Sequence, residues 1–73
     1  MSKSGIQLAV EAAGGQHALA RMCGVTQPTV YGWLERGYAP TSRVIEIEAL
    51  TGVPRKDLVN PRTRDLLIQP FSE

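Results

Sequence analysis

The fold is decided by residues 16–34, which read QHALARMCGVTQPTVYGWL. Apolar residues recur there at helical spacing on both sides of a glycine. The spacing predicts one helix over Gln16–Cys23, and Gly24 ends it because glycine adopts a positive φ without a steric clash. A second helix is predicted from the N-cap Thr26 to about Arg36, with a proline in its first turn. Two short helices joined by a tight turn that contains glycine make a helix-turn-helix.

Each of these two helices is expected to bury one side. The predicted inward residues are Leu19, Ala20 and Cys23 in the first helix, and Val30, Trp33 and Leu34 in the second. Ala20 is expected where the helices cross, since a larger side chain would push them apart. Trp33 is interpreted as a core residue rather than a stacking platform for bases. Cys23 is interpreted as a small buried hydrophobe rather than a redox group.

The chain before the motif predicts another helix over Ile6–Ala13. Its N-cap is Ser4, whose hydroxyl can accept a hydrogen bond from a backbone N–H near the helix start. The apolar residues recur at the spacing of one helical face, and the pair Gly14-Gly15 ends the helix.

The chain after the motif predicts a fourth helix, and the residues beyond it are harder to interpret. The expected cap of this helix is Thr41 or Ser42, its expected end is Leu50 or Thr51, and its expected inward residues are Val44, Ile47 and Leu50. Residues 53–59 form either a short helix or an extended arm, and residues 64–68 form either a helical turn or a short strand. We therefore predict a single all-α domain over residues 1–73, with about five short helices, a core at 6–58 and an irregular C-terminal arm at 59–73.

Composition excludes several classes of protein. The chain has 73 residues with one cysteine and one histidine, which cannot form an internal disulfide or supply four zinc ligands. No nucleophile–base pair, phosphate loop or metal constellation is visible, so we expect no enzyme activity, no cofactor, no metal and no small-molecule substrate. No segment has the length and apolarity of a membrane span or the pattern of a signal peptide, which predicts a soluble cytoplasmic protein without membrane contact.

The charge is weak overall and uneven along the chain. The formal net charge is only +1, but residues 14–44 carry a net charge of +2 and residues 55–64 a net charge of +3. This pattern fits either a locally basic surface or ordinary solvated charge. Glu46 and Glu48 point to different faces of a helix, and Glu48 is expected to pair with Arg43 or Arg36.

The outward face of the second motif helix carries the predicted functional residues. In a helix-turn-helix this helix enters the major groove of DNA and reads bases mainly with its N-terminal residues. The predicted base contacts are Gln27, Pro28, Thr29, Tyr31 and Gly32. Gln27 is the leading candidate, because a carboxamide can pair with adenine N6 and N7 in a bidentate way. Tyr31 has no apolar neighbours at helical spacing, so a ligand explains it better than packing does.

Residues around that helix are predicted to contact the DNA backbone. The predicted phosphate contacts are Gln16, Thr26, Arg36, Tyr38 and Arg43. Gln16 begins the first motif helix, where free N–H groups and the helix dipole favour an anion. Contacts of this kind position a protein on DNA without reading its sequence.

The chain resembles the Cro/YdaS-type phage and prophage regulators, whose broader relatives are the lambdoid repressor and Cro proteins. The resemblance covers roughly residues 6–58 and lies in these segments: Glu11-Ala12-Ala13-Gly14-Gly15-Gln16, Ala18-Leu19-Ala20, Gly24-Val25, Gln27-Pro28, Val30, Trp33-Leu34, Gly37, Pro40, Arg43 and Ile47-Glu48-Ala49-Leu50-Thr51-Gly52-Val53. It implies a transcriptional repressor in a bacterial cell that binds palindromic operator DNA as a homodimer. It also places Gln16 and the five predicted base contacts on DNA-contacting positions.

Two questions stay open beside the resemblance. The same fold can serve an antitoxin-like regulator or a protein-interaction module that binds a partner protein. A protein-binding version should carry apolar residues at Gln27, Thr29 and Tyr31. Where relatives continue with Arg-Pro-Asp, this chain reads Val59-Asn60-Pro61-Arg62 after Leu58. In Cro-like proteins this region commonly contributes to dimerisation.

Overall fold

The computed structural model describes residues 3–60 and Arg62. Residues 3–60 contain four α-helices and a 3₁₀ turn. In chain order they are α1 (Gly5–Ala13), α2 (Gln16–Cys23), α3 (Gln27–Arg36), α4 (Thr41–Thr51) and the 3₁₀ turn Arg55–Asp57. The described part of the chain contains no strand, so the predicted all-α class is confirmed. The predicted helical turn or strand at residues 64–68 lies outside the described residues.

Helix α1 begins at a complete capping box. The Ser4 hydroxyl accepts a hydrogen bond from the Gln7 N–H at 3.1 Å, and the Gln7 side chain accepts from the Ser4 N–H at 2.7 Å. Two backbone donors that the first turn leaves without helical partners are thereby satisfied. Ser4 is confirmed as the N-cap, and the helix begins at Gly5, one residue earlier than predicted.

A three-residue turn joins α2 to α3. Gly24 has a φ of 71°, and the N–H groups of Gly24 and Val25 return to the carbonyls of Arg21 and Ala20 at 3.3 and 2.9 Å. This pair of bonds is a Schellman motif, and it requires a left-handed residue that glycine supplies at no steric cost. The predicted helix-turn-helix is therefore present, and Thr26 occupies the cap position of α3.

Every α-helix contributes one large, fully buried side chain to a common core, and so does the segment after the 3₁₀ turn. These five residues are Ile6, Leu19, Val30, Ile47 and Leu58. The predicted inward residues Ala20, Cys23 and Trp33 are also buried in this core, and Leu34 packs against it. The interpretation of Trp33 as core is confirmed, since only 2% of its surface is exposed.

Helix α4 ends at Thr51 as predicted, but its N-cap and one of its inward residues differ from the prediction. Its N-cap is Pro40 in an extended conformation, and the helix begins directly at Thr41, so neither Thr41 nor Ser42 is the cap. Leu50 was predicted to face inward, but it is 42% exposed. At 100° per residue Leu50 lies about 120° around the helix from Val44, too far for the face that Val44 and Ile47 bury.

The segment after α4 folds back onto the helices. Val53, Leu58 and Val59 are buried, and the Ala39 N–H donates to the Leu58 carbonyl at 2.8 Å. Val53, Leu58 and Val59 are therefore part of the core, so residues 53–59 do not form an extended arm. Apart from Asn60 and Arg62, the rest of the predicted arm lies outside the described residues. In the described part of the chain, every helix is too short or too polar to span a bilayer.

Because residues 53–59 return across the helices, the ion pairs around α4 differ from those predicted. Glu48 pairs with Arg55 at 2.9 Å instead of with Arg43 or Arg36. Arg43 pairs with Glu46, one helical turn away, at 3.2 Å. Residues three apart on a helix are neighbours, whereas Glu48 lies five residues from Arg43 and faces the returning chain.

Gly5 is the point where α1 touches the 3₁₀ turn. A Cβ built on Gly5 would lie 2.0 Å from the Asp57 carbonyl oxygen and 2.5 Å from its carbonyl carbon. Backbone atoms cannot rotate out of the way, so any side chain at this position would force the two segments apart.

We predict opposite effects of two glycine substitutions on stability. Gly5→Ala should lower the free energy of unfolding by about 1–3 kcal/mol, the usual cost of overpacking. Gly32→Ala, inside α3 and open to solvent at the Cβ position, should raise it by about 0.5–1 kcal/mol through helix propensity. Urea unfolding followed by circular dichroism measures both. Equal stability of the two variants would contradict the close approach at Gly5.

Candidate nucleic-acid interface

Helix α3 has two faces of different chemistry. Val30 and Trp33 lie in the core, while an outward stripe is formed, at the spacing of one helical face, by Pro28, Tyr31, Gly32 and Glu35. Tyr31 is 51% exposed, although its aromatic ring is one of the larger side chains in the molecule. The stripe combines an aromatic ring, a proline, a glycine and a carboxylate, which suits contact with an external partner better than contact with water alone.

The five predicted base contacts come together on the first half of α3. Pro28, Thr29 and Tyr31 are exposed, and Gln27 and Gly32 are half-buried. Thr29 lies beside the cap, because its hydroxyl is 2.9 Å from the Thr26 hydroxyl. The structure thus places all five residues on one continuous surface, and their roles stay predictions.

Gly32 leaves a notch in this surface. A Cβ at this position would meet nothing within 4 Å, and Gly32 has no positive φ. A glycine inside a helix costs roughly 0.5–1 kcal/mol relative to alanine, and here no internal contact requires it. The absence of a side chain next to Pro28 and Tyr31 instead allows an external group to approach the helix backbone closely.

Gln16 and Gln27 join the N-terminal ends of the two motif helices. The Gln27 Nε2 atom donates to the Gln16 Oε1 atom at 2.5 Å, although eleven residues separate them in sequence. Each is the first residue of its helix. The bond uses one N–H of Gln27, so its carbonyl oxygen and second N–H can still form the bidentate pattern that matches adenine.

Glu35 is a site residue that the sequence interpretation missed. The nearby Glu35 carboxylate raises the pKa of Tyr31 above its usual value, first as a hydrogen-bond acceptor for the hydroxyl and then through its negative charge. The i, i+4 spacing of Tyr31 and Glu35 in the sequence could have indicated that the two side chains are neighbours. A carboxylate on this face repels phosphates but can accept from cytosine N4, which favours contact with bases over contact with the DNA backbone.

The predicted phosphate contacts fall into two groups. Thr26 and Arg36 are exposed at the two ends of α3, Tyr38 is half-buried in the following loop, and Gln16 is half-buried at the start of α2. These four residues flank the outward stripe. Arg43 is different, since its Nη1 atom donates to the Cys23 carbonyl oxygen at 3.0 Å and its guanidinium pairs with Glu46.

We predict that Glu35→Gln lowers the pKa of Tyr31 toward its ordinary value of 10.0. Removal of the carboxylate charge makes the phenolate easier to form, so the titration moves to lower pH. The ring resonances of Tyr31, followed by NMR against pH, measure this shift. Glu46→Gln, which removes an acid from α4 instead, should leave the titration in place. A Tyr31 titration that Glu35→Gln does not move would contradict the contact.

The surface described above lies within a stretch that matches a known family. No curated protein and no solved structure matches this chain significantly. The model of one family, described as bacterial toxin YdaS, matches residues 6–61. This range is more than half of the chain and includes the 3₁₀ turn, every residue of the candidate interface and the four helices except Gly5, the first residue of α1. The chain therefore belongs to the bacterial toxin YdaS family.

Proposed function

We propose that this protein is a sequence-specific DNA-binding repressor of the Cro type that inserts α3 into the major groove of its operator. The observation that carries the proposal is the division of α3 into a buried side held by Trp33 and an outward side of small and polar residues. A helix presented in this way by a helix-turn-helix is the element that reads DNA.

Base reading is assigned to the first half of α3. Gln27 pairs with adenine, and its bond to Gln16 supports this role because it restricts the side chain to one direction before DNA arrives. Thr29 and Pro28 supply contacts to base edges and thymine methyl groups, and the Gly32 notch permits close approach. Tyr31, with the Glu35 carboxylate one helical turn away, contacts a base from the middle of the stripe.

Backbone contacts are assigned to the residues around the stripe, namely Gln16, Thr26, Arg36 and Tyr38. Among them only Arg36 carries a full charge, and the chain has a net charge of only +1. Each neutralised phosphate changes the slope of log affinity against log salt by about 0.9, so one copy with few cations binds weakly. We therefore propose that two copies bind a palindromic operator with half-sites about one helical turn apart.

Two variants separate base reading from backbone contact. Gln27→Ala should relax the base preference and cost roughly 1–3 kcal/mol of discrimination at one position of each half-site. Arg36→Met should weaken binding to all sequences alike and reduce the salt slope. Mobility shifts on the DNA upstream of the gene, with scrambled DNA as competitor, measure both effects. Equal affinity of the unmodified protein for upstream and scrambled DNA would reject the proposal.

The family description supports a second candidate function, which is growth inhibition. An antitoxin-like regulator or protein-interaction module would act through a partner protein instead of an operator. Exposed apolar residues outside the DNA surface, such as Ile45 on α4 at 63% exposure, are where such a partner would bind.

Expression in a bacterial host distinguishes these routes. If growth inhibition follows from DNA binding, the double variant Gln27→Ala/Tyr31→Ala should restore growth, and Ile45→Ala should not. Colony counts after induction measure the effect, with immunoblots to confirm equal protein levels. Restored growth with Ile45→Ala alone would favour the protein-partner route.

A further inference from the structure

Arg43 makes the contact that links α4 to the turn of the helix-turn-helix. Its Nη1 atom donates to the carbonyl oxygen of Cys23, the last residue of α2, at 3.0 Å. The same atom lies 3.2 Å from Glu46 Oε1 on the next turn of α4. The sequence interpretation assigned Arg43 to a DNA phosphate, but these bonds direct its guanidinium toward the protein.

The Cys23 carbonyl is a group that the helix itself cannot satisfy. The last four carbonyls of a helix lack helical partners, and the Schellman bonds of this turn use those of Ala20 and Arg21. A guanidinium at a helix C-terminus also complements the negative end of the helix dipole. Arg43 therefore satisfies both the hydrogen-bonding need and the charge preference at the end of α2.

The position of this bond in the chain gives it consequences for α3. Only Gly24, Val25 and Thr26 separate Cys23 from Gln27, the first residue of the reading helix. A recognition site needs its residues held to within about 0.5 Å, which depends on the groups that support them. Fixing the end of α2 to α4 thus fixes the point from which α3 departs.

The surroundings of Cys23 agree with this arrangement. Burial raises the pKa of the Cys23 thiol, the charge of Glu46 raises it further, and the charge of Arg43 opposes that effect. Both charges of the pair therefore lie close to the end of α2. The side chains of Arg43 and Glu46 are 37% and 40% exposed, so their ion pair by itself is weak, and the bond to Cys23 is the contact that matters.

We propose that Arg43 is a positioning residue that holds the turn between α2 and α3 against α4, and that it is not a phosphate contact. That Arg43 is not a phosphate contact rests on the proposed DNA-binding function. The first half of the proposal, that Arg43 holds the turn, concerns the protein without DNA and can be tested separately.

The first experiment measures amide hydrogen exchange at Gly24 and Val25 in the free protein by NMR. Arg43→Met keeps most of the side chain's length and removes its charge and donors. It should accelerate exchange at these two amides about tenfold, because the turn opens more often. Arg36→Met removes an arginine from α3 and serves as the matched control. It should leave the exchange rates of the two amides within about twofold of those in the unmodified protein. Unchanged exchange in Arg43→Met would overturn the proposal.

The second experiment uses the salt dependence of operator affinity. Arg43→Met should leave the slope unchanged while reducing the preference for operator over scrambled DNA, whereas Arg36→Met should lower the slope by about 0.9. A similar fall in slope for Arg43→Met would show a phosphate contact and overturn the proposal. If neither the unmodified protein nor any variant binds operator DNA, the proposed function fails. The exchange experiment still decides whether Arg43 holds the turn.

Glu46→Gln keeps Arg43 in place and separates the two roles, so it serves if Arg43→Met does not fold. A positioning Arg43 keeps its bond to the Cys23 carbonyl, so exchange at Gly24 and Val25 and affinity for DNA stay close to those of the Glu11→Gln variant. A phosphate-binding Arg43 is released by the same change, so affinity for all DNA rises. Glu11→Gln, on α1, controls for the loss of one negative charge. Tighter binding by Glu46→Gln than by Glu11→Gln would overturn the proposal.

Discussion

The packing of α2 against α3 across the Gly24 turn is the constraint on which the rest of the structure depends. The turn closes through two backbone bonds that require a left-handed residue, and Leu19, Ala20 and Cys23 then meet Val30 and Trp33 in the core. With Trp33 buried, the opposite side of α3 must face outward. Helices α1 and α4 and the segment ending at Val59 complete the core around this pair, and none of them covers the outward stripe.

That stripe combines weak electrostatics with specific chemistry. The stripe presents a proline, a tyrosine and the carboxylate of Glu35, and the adjacent Gln27 and Thr29 add a carboxamide and a hydroxyl. The only full positive charge on this side of α3 is that of Arg36 at its far end. In the proposed complex, a surface of this kind would gain little from general attraction to DNA, and most of its binding would come from base contacts. Under the same proposal, pairing of two copies on one operator would compensate for the few phosphate contacts of each.

Much of this arrangement follows from local sequence patterns. The helix-turn-helix, the inward residues of α2 and α3 and the cap at Ser4 depend on neighbours within one or two turns, and they were predicted correctly. The errors are of two kinds. The N-cap of α4 and the inward placement of Leu50 are local errors, since Leu50 lies about 120° around the helix from Val44. Glu48 was expected to pair with Arg43 or Arg36, because the return of residues 53–59 across α4 leaves no periodic signal. The approach of Gly5 to Asp57 and the bond from Arg43 to Cys23 join residues 52 and 20 positions apart, so no spacing rule could indicate them.

The central claim is that the outward side of α3 is the surface that contacts DNA. Backbone amide chemical shifts of the protein, recorded as DNA from upstream of its own gene is added, test this claim most directly. We expect changes concentrated at residues 27–32 and at Gln16, with much smaller changes when scrambled DNA is added at the same salt concentration. Changes confined to α1 and the exposed side of α4, or no changes with either DNA, would contradict it.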